Sequence, residues 1–186
     1  MATRFSAFLR EARGAAAAEF TLVALMFAYM MINVGDVGVY VYDKMQVESA
    51  AQAAAESVWA QCSPTTNGAP GVTFNCSNYT SMITSSAQNT SLGTAVIASV
   101  PASPGEGWYC SSKAGSPTLS LVKSIAAKAD ATPTPTCATI LATDLTNAGD
   151  YLPVQASYTY SPIFPGATVT SLLSKTITQT VWIRVY

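Results

Sequence analysis

The fold is decided by residues 14–34, GAAAAEFTLVALMFAYMMINV. This stretch is apolar apart from Glu19, Thr21 and Asn33, and it follows a short basic leader. Twenty helical residues rise about 30 Å, which matches the thickness of the hydrocarbon core of a bilayer. The sequence therefore predicts a single membrane-spanning helix that begins at Ala15 and reaches about Val34.

Basic residues are distributed unevenly about this span. Arg4, Arg10 and Arg13 precede it, whereas only Lys44 follows it closely. Because positively charged flanks stay in the cytoplasm, the leader is predicted to be cytoplasmic and the larger carboxyl-terminal part to lie across the membrane.

The carboxylate of Glu19 lies near the start of the span, where an ionised group costs about 2.5–3.5 kcal/mol unless it is paired or reaches the interface. Cleavage after Gly14 would create an amino group on Ala15, which is a suitable partner. Glycine at the cut, a small residue after it and glutamate as the fifth mature residue resemble the class III signal of the type IV pilin superfamily. An uncleaved anchor, with Glu19 protonated at the cytoplasmic interface, is the alternative.

The helix is expected to continue beyond the membrane. Residues 1–14 form the predicted leader, 15–42 the transmembrane helix, 43–62 its continuation and 63–186 a head domain. Gly35 and Gly38 are expected to loosen the helix. Asp36 is expected to be solvated at the periplasmic boundary of the membrane, and a contact with a partner is the alternative. Beyond this point small apolar residues recur at helical spacing and predict a buried stripe: Val47, Ala51, Ala54, Ala55, Val58 and Cys62. Packing on the chain's own domain is favoured over an exposed partner-binding face.

Four cysteines follow the span: Cys62, Cys76, Cys110 and Cys137. An even number of cysteines in an oxidising compartment predicts two disulfides, for which three pairings are possible. Proximity in sequence favours Cys62 with Cys76 and Cys110 with Cys137, and buried free thiols are the alternative. Because the chain has no histidine and no Cys-x-x-Cys pair, zinc ligation and thioredoxin-like chemistry are disfavoured.

The middle of the head is rich in Ser, Thr, Asn, Gly and Pro, which predicts loops with short strands, or in part disorder. Strands are predicted at 72–76 and 94–100, and a helical turn at 81–88. Ser116-Pro117 resembles a helix start, and the apolar spacing that follows predicts a helix to about Ala129.

The carboxyl-terminal region has the clearest strand pattern. Apolar and polar residues alternate at 154–160 and again at 176–185, and a Pro/Gly-containing link lies between the two runs. Two such runs predict an antiparallel pair, so the head is expected to be α+β, with a small antiparallel sheet covered on one face by the long helix and with disulfide-stapled loops.

Sequence features at both ends of the chain narrow the resemblance to one family within the type IV pilin superfamily. Three segments resemble TadE-like minor pseudopilins of bacterial tight-adherence pilus systems: the opening Arg13 to Phe20, the Gln/Ala-rich helix and the segment Tyr158 to Gly166. The resemblance implies cleavage by a prepilin peptidase between Gly14 and Ala15 and residence in the inner membrane, with a periplasmic head. It also implies contact with other pilins or pseudopilins through Glu19 and Phe20, with the pilus assembly platform and with membrane lipid. The serine-rich middle has no counterpart in this resemblance.

Other classes of protein fit the sequence less well. With a net charge of −1 and only 10% charged residues, the sequence lacks the excess of basic residues that is typical of a nucleic-acid-binding protein. No serine lies in a nucleophile elbow and no acidic cluster has metal-loop spacing, so we expect no enzyme, metal or cofactor. A pilus-tip adhesin or a filament subunit that makes surface contact is the alternative function, because aromatic residues on polar loops suit recognition.

Overall fold

A computed structural model describes residues 2–62, 70–111, 119–132, 134–139 and 147–186, with side chains from Ala16 onward. Three α-helices are present in this part of the chain: α1 at Ala2–Cys62, α2 at Val72–Asn75 and α3 at Tyr79–Gln88. Five strands follow or separate them: β1 at Ile97–Ser99, β2 at Gly107–Ser111, β3 at Leu119–Ser124, β4 at Gly149–Thr159 and β5 at Thr176–Arg184. The long amino-terminal helix and the small antiparallel sheet confirm the predicted α+β class.

Helix α1 runs for 61 residues without interruption, a length of about 90 Å. Gly35 and Gly38 were expected to loosen it, but the helical hydrogen bonding continues through both. Only 6% of the most apolar window of α1 is buried in the protein, although this window is long and apolar enough to cross a membrane. A core helix of a soluble protein would bury most of such a window, so α1 is suited to an apolar surrounding outside its own chain.

The chain forms two compact units. The first joins the helix up to Tyr42 with the segment Ser161–Lys175, and the second joins Asp43–Tyr160 with Thr176–Tyr186. The segment 161–175 thus belongs with the membrane-proximal half of α1, although the sequence suggested only a link between strands.

The second unit buries the predicted alanine stripe of α1. Its members are at most 2% exposed: Val47, Ala51, Ala54, Ala55, Val58 and Cys62. Small side chains at helical spacing allow close approach of neighbouring backbone, so this half of α1 is a core element of its unit.

Strand β4 is the centre of the sheet, and all of its pairings are antiparallel. Strand β5 pairs with one edge of β4 from Tyr151 to Thr159. The other edge pairs first with β2 and then with β1, and β3 continues the sheet beyond β2. The alternation that predicted β4 and β5 arises because one face of β4 is fully buried, at Leu152, Val154 and Ala156.

The predicted helix over residues 119–129 is wrong, because Leu119–Ser124 is strand β3 and pairs with β2. A 3₁₀-helix at Lys128–Ala131 is the helical part of this stretch, and the proposed start at Ser116-Pro117 lies outside the described residues. The spacing of the apolar residues fitted a helix, but cross-strand hydrogen bonds to Gly107–Ser111 override that local preference.

The predicted strand at 72–76 is also wrong, since this stretch contains the short helix α2. Gly71 precedes it with φ 85°, a left-handed conformation that favours glycine. The predicted strand at 94–100 is limited to β1, whereas the helical turn at 81–88 is confirmed as part of α3. Strand β2 was not predicted, because its buried Gly107, Trp108 and Tyr109 do not alternate with polar residues.

Two disulfides are formed, Cys62–Cys76 and Cys110–Cys137, the pairing that sequence proximity favours. The first joins the end of α1 to the residue after α2. The second lies in an apolar cluster around Trp108, Ile125 and Ala148. Both therefore fix segments that have little regular structure of their own.

We expect all four cysteines to resist alkylation until a reductant is added, and non-reducing peptide maps to show these two linkages. Loss of the Cys62–Cys76 bridge in a double serine variant should lower the free energy of unfolding by about 3 kcal/mol, since the loop it closes is of modest length. Intact-mass analysis after alkylation measures the first result, and denaturant unfolding measures the second. Free thiols in the exported protein would contradict the two disulfides.

Candidate functional site: the amino-terminal helix and the carboxylates of the chain

Glu19 and Phe20 lie on the surface of α1. Phe20 is 73% exposed, and Glu19 is exposed as well. Among the residues that the structure describes, Glu19 has no ion-pair partner. Gly14 and Ala15 are within the helix, and the surroundings of Ala15's side chain lie outside the described part. The carboxylate is thus available to a group from outside this part of the chain.

The carboxylate of Asp36 is fully buried and accepts hydrogen bonds from the segment 161–175. The backbone amide of Ile163 donates to Oδ1 over 2.9 Å. The hydroxyls of Thr168 and Thr170 both donate to Oδ2. Each oxygen of a carboxyl group has lone pairs that accept hydrogen bonds, so three converging donors suit this side chain.

Asn33, one helical turn before Asp36, makes a further contact with the same segment. Its Oδ1 accepts a hydrogen bond from the amide of Val169 over 2.9 Å, and its Nδ2 donates to the carbonyl of Tyr29 over 2.8 Å. We call this group, Asn33 and Asp36 with Ile163 and residues 168–170, the polar clasp. The expectation of a solvated Asp36 is therefore wrong.

A pair of buried carboxylates, Glu106 and Asp150, lies in the other unit. Glu106 accepts hydrogen bonds from the amide of Val72, from the amide of Thr73 over 2.9 Å and from the hydroxyl of Thr73. Asp150 Oδ2 accepts one from the amide of Gly71 over 2.8 Å. Both carboxylates thus hold the start of α2, where backbone amides have no partner within the helix.

Burial and the nearby charge of Glu106 raise the pKa of Asp150 to about 7, although the hydrogen bond from the Gly71 amide lowers it. Burial also raises the pKa of Glu106, against the lowering effect of its hydrogen bonds to Thr73 and Val72. The Oδ1 atom of Asp150 is buried and has no hydrogen-bond partner among the residues that the structure describes. Because Glu106 and Asp150 are both acidic and both buried, the state in which the two carboxyl groups are ionised together is disfavoured.

The stability of this unit should therefore depend on pH between about 4 and 7. A carboxyl group whose pKa is higher in the folded than in the unfolded state stabilises most below the unfolded value, and this stabilisation is lost as the pH rises through the folded value. For Asp150 the loss is up to roughly 4 kcal/mol, at about 1.4 kcal/mol per pKa unit. Asp150→Asn should flatten the pH profile of the unfolding free energy.

Asp130→Asn is the matched control, because Asp130 is paired with Lys123 at 3.2 Å on the surface. The Lys123 hydrogen bond lowers the pKa of Asp130, so its contribution changes below the window in question. Denaturant unfolding at a series of pH values measures both variants. A wild-type profile that rises from pH 4 to 7, or a variant profile that keeps the wild-type slope, contradicts the prediction.

No group of three or more His, Cys, Asp or Glu side chains that could hold a metal occurs in the described ranges. The expectation that the protein needs no metal or cofactor and is not an enzyme stays a prediction.

Sequence reasoning missed both groups of buried carboxylates. Glu106 and Asp150 are far apart in sequence and gave no local signal. A signal for the polar clasp was present in part: Asn33 and Asp36 lie on one helix face at the end of an apolar span, and the threonine-containing segment 161–174 carries no charge.

Comparison with known proteins adds one finding. Residues 14–56 match the family model described as TadE-like protein. The match covers under a quarter of the chain, begins at the proposed cleavage glycine and includes Glu19, Phe20 and Asp36. No curated protein and no solved structure matches the chain significantly.

Proposed function

We propose that this TadE-like chain is a minor, pilin-like subunit that is required to assemble a tight-adherence pilus. The observation that carries the proposal is the family match over residues 14–56, which coincides with the signal-like sequence and the span. The exposed apolar surface of α1 supports it, since such a helix needs either lipid or neighbouring pilin helices around it.

In this proposal prepilin peptidase cleaves after Gly14, so the mature chain begins at Ala15 and keeps its anchor. The leader lies in the cytoplasm and the head in the periplasm, as the excess of arginine before the span favours. The protein resides in the inner membrane among lipids and contacts other pilins and the assembly platform. It acts by assembly and not by catalysis.

Glu19 supplies the specificity of assembly. The new amino group of Ala15 on one subunit pairs with Glu19 on its neighbour, and Phe20 contributes adjacent apolar surface. Breaking a buried charge pair costs about 3–5 kcal/mol, because one charge is left without a partner. Such a pair fixes the register of helices whose apolar surfaces could otherwise slide.

The test is Gly14→Val in a strain that carries the variant as its only copy. A branched side chain at the cleavage position should leave the leader attached, and pili should be nearly absent. Complementation with the wild-type protein should restore both cleavage and pili. Gly35→Ala is the matched control, because a Cβ added at Gly35 meets no described atom within 4 Å. Immunoblots measure cleavage and electron microscopy counts pili. Normal piliation by uncleaved protein would overturn the proposal.

A further inference from the structure

The segment 161–175, SPIFPGATVTSLLSK, carries no charged residue before Lys175. Several of its polar groups bond to the helix or to one another. The amides of Ile163 and Val169 donate to Asp36 and Asn33, and the hydroxyl of Ser171 donates to the carbonyl of Thr168 over 2.6 Å. The segment is thus held in one conformation by its polar atoms.

The apolar side chains of the same segment remain exposed. Leu172 is 84% exposed and ends a short 3₁₀-helix, Val169–Leu172. Four further apolar residues are between 41% and 55% exposed: Ile163, Phe164, Val169 and Leu173. A contiguous stretch of sequence with this many exposed large apolar groups marks a surface that contacts another apolar phase.

The position of the polar clasp indicates which phase this is. Asn33 and Asp36 lie where the predicted apolar span ends, near Val34. Met30 and Met31, just before the polar clasp on α1, and Val34, between Asn33 and Asp36, are themselves at least 61% exposed. The segment is therefore held at the depth where hydrocarbon gives way to headgroups, next to the surface of α1 that the lipid covers.

We infer that the segment 161–175 is a membrane-docking element, whose apolar side chains insert into the periplasmic interface of the bilayer. Apolar residues at such an interface contribute binding in proportion to the area they bury. The exposed Lys175 suits the headgroup layer, because a lysine can keep its stem in apolar surroundings and its charge in water. No charged side chain between Ser161 and Ser174 has to be dehydrated on insertion, which suits a lipid surface.

The inference deepens the proposed function and rests on its membrane placement, but not on cleavage or pilus assembly. Full-length protein is reconstituted into phosphatidylcholine–phosphatidylglycerol vesicles, with the four native cysteines kept oxidised. A single added cysteine carries an environment-sensitive fluorophore, and lipids with a nitroxide near the headgroup serve as quencher. The labelled variants are Leu172→Cys and Val169→Cys, with Met26→Cys in the span and Glu56→Cys on the distal, exposed part of α1 as controls.

The labels at 172 and 169 should be quenched at least roughly threefold more than the label at 56, with blue-shifted emission, and adding Asp36→Ala should abolish the difference. Equal quenching at 172, 169 and 56, with Met26→Cys emission typical of the bilayer, would overturn the docking element and leave the anchored function intact. A label at Met26→Cys whose emission indicates an aqueous environment would overturn both the docking element and the membrane-anchored function. Emission that shifts only at high protein-to-lipid ratio, without quenching by lipid, would overturn the inference and point to a second copy of the chain.

Discussion

Glu19→Ala should leave membrane insertion, cleavage and head folding intact and yet reduce the number of pili per cell by roughly a hundredfold. Removing a charge from the span makes it more apolar, so insertion is unaffected or slightly favoured. Loss of the intersubunit pair weakens each helix contact by about 3 kcal/mol or more, which is roughly two powers of ten in an association constant.

Pilus counts by electron microscopy, in a strain with the variant as its only copy, measure this effect. Immunoblots must show normal levels of processed protein. Glu19→Gln should behave like Glu19→Ala, because it keeps the shape of the side chain but not its charge. Glu56→Ala is the matched control, since Glu56 is an exposed glutamate on the same helix. Normal piliation with Glu19→Ala would remove the reason to treat Glu19 as functional.

Asp36→Ala should release the segment 161–175 from the helix while α1 and the second unit stay folded. The variant leaves the Ile163 amide and the hydroxyls of Thr168 and Thr170 without their common acceptor. A hydrogen bond contributes about 0.5–1.5 kcal/mol net, so the loss of three amounts to up to roughly 4 kcal/mol. Amide hydrogen exchange within 161–175 should accelerate by up to about a thousandfold.

Graded variants sharpen this test. Asp36→Asn keeps one acceptor oxygen and should have an intermediate effect. Among the polar clasp's hydrogen bonds to the segment, Asn33→Ala removes the one from the Val169 amide, besides the bond within α1 to the Tyr29 carbonyl, and it should act more weakly still. Glu48→Ala, an exposed substitution on the same helix, should not change exchange. Unchanged exchange of 161–175 in Asp36→Ala would show that the polar clasp does not hold the segment.

The elements that the sequence predicted correctly are those that depend on local pattern. The long apolar helix follows from a run of twenty residues that is apolar at all but three positions. The stripe at Val47 to Cys62 follows from helical spacing, and strands β4 and β5 follow from alternation with a buried face. These signals are strong because burial of one face acts on every second, third or fourth residue.

The elements that could not be predicted depend on partners distant in sequence. Strand β3 exists because β2 pairs with it, and α2 exists where Glu106 and Asp150 accept the amides of residues 71–73. The polar clasp joins residues more than 120 positions apart. The candidate residues Gly14 and Glu19 could be singled out because their pattern is local, whereas the placement of Asn33 and Asp36 on one helix face did not indicate which distant segment they hold.

The amino-terminal residue of the protein extracted from the membrane tests the central claim most directly. Protein sequencing or intact-mass analysis of wild type should find a mature chain that starts at Ala15, with the Gly14→Val variant retaining its leader. A mature chain that starts at Met1, or beyond Val34, would contradict the account of this protein as a processed, membrane-anchored pilin-like subunit.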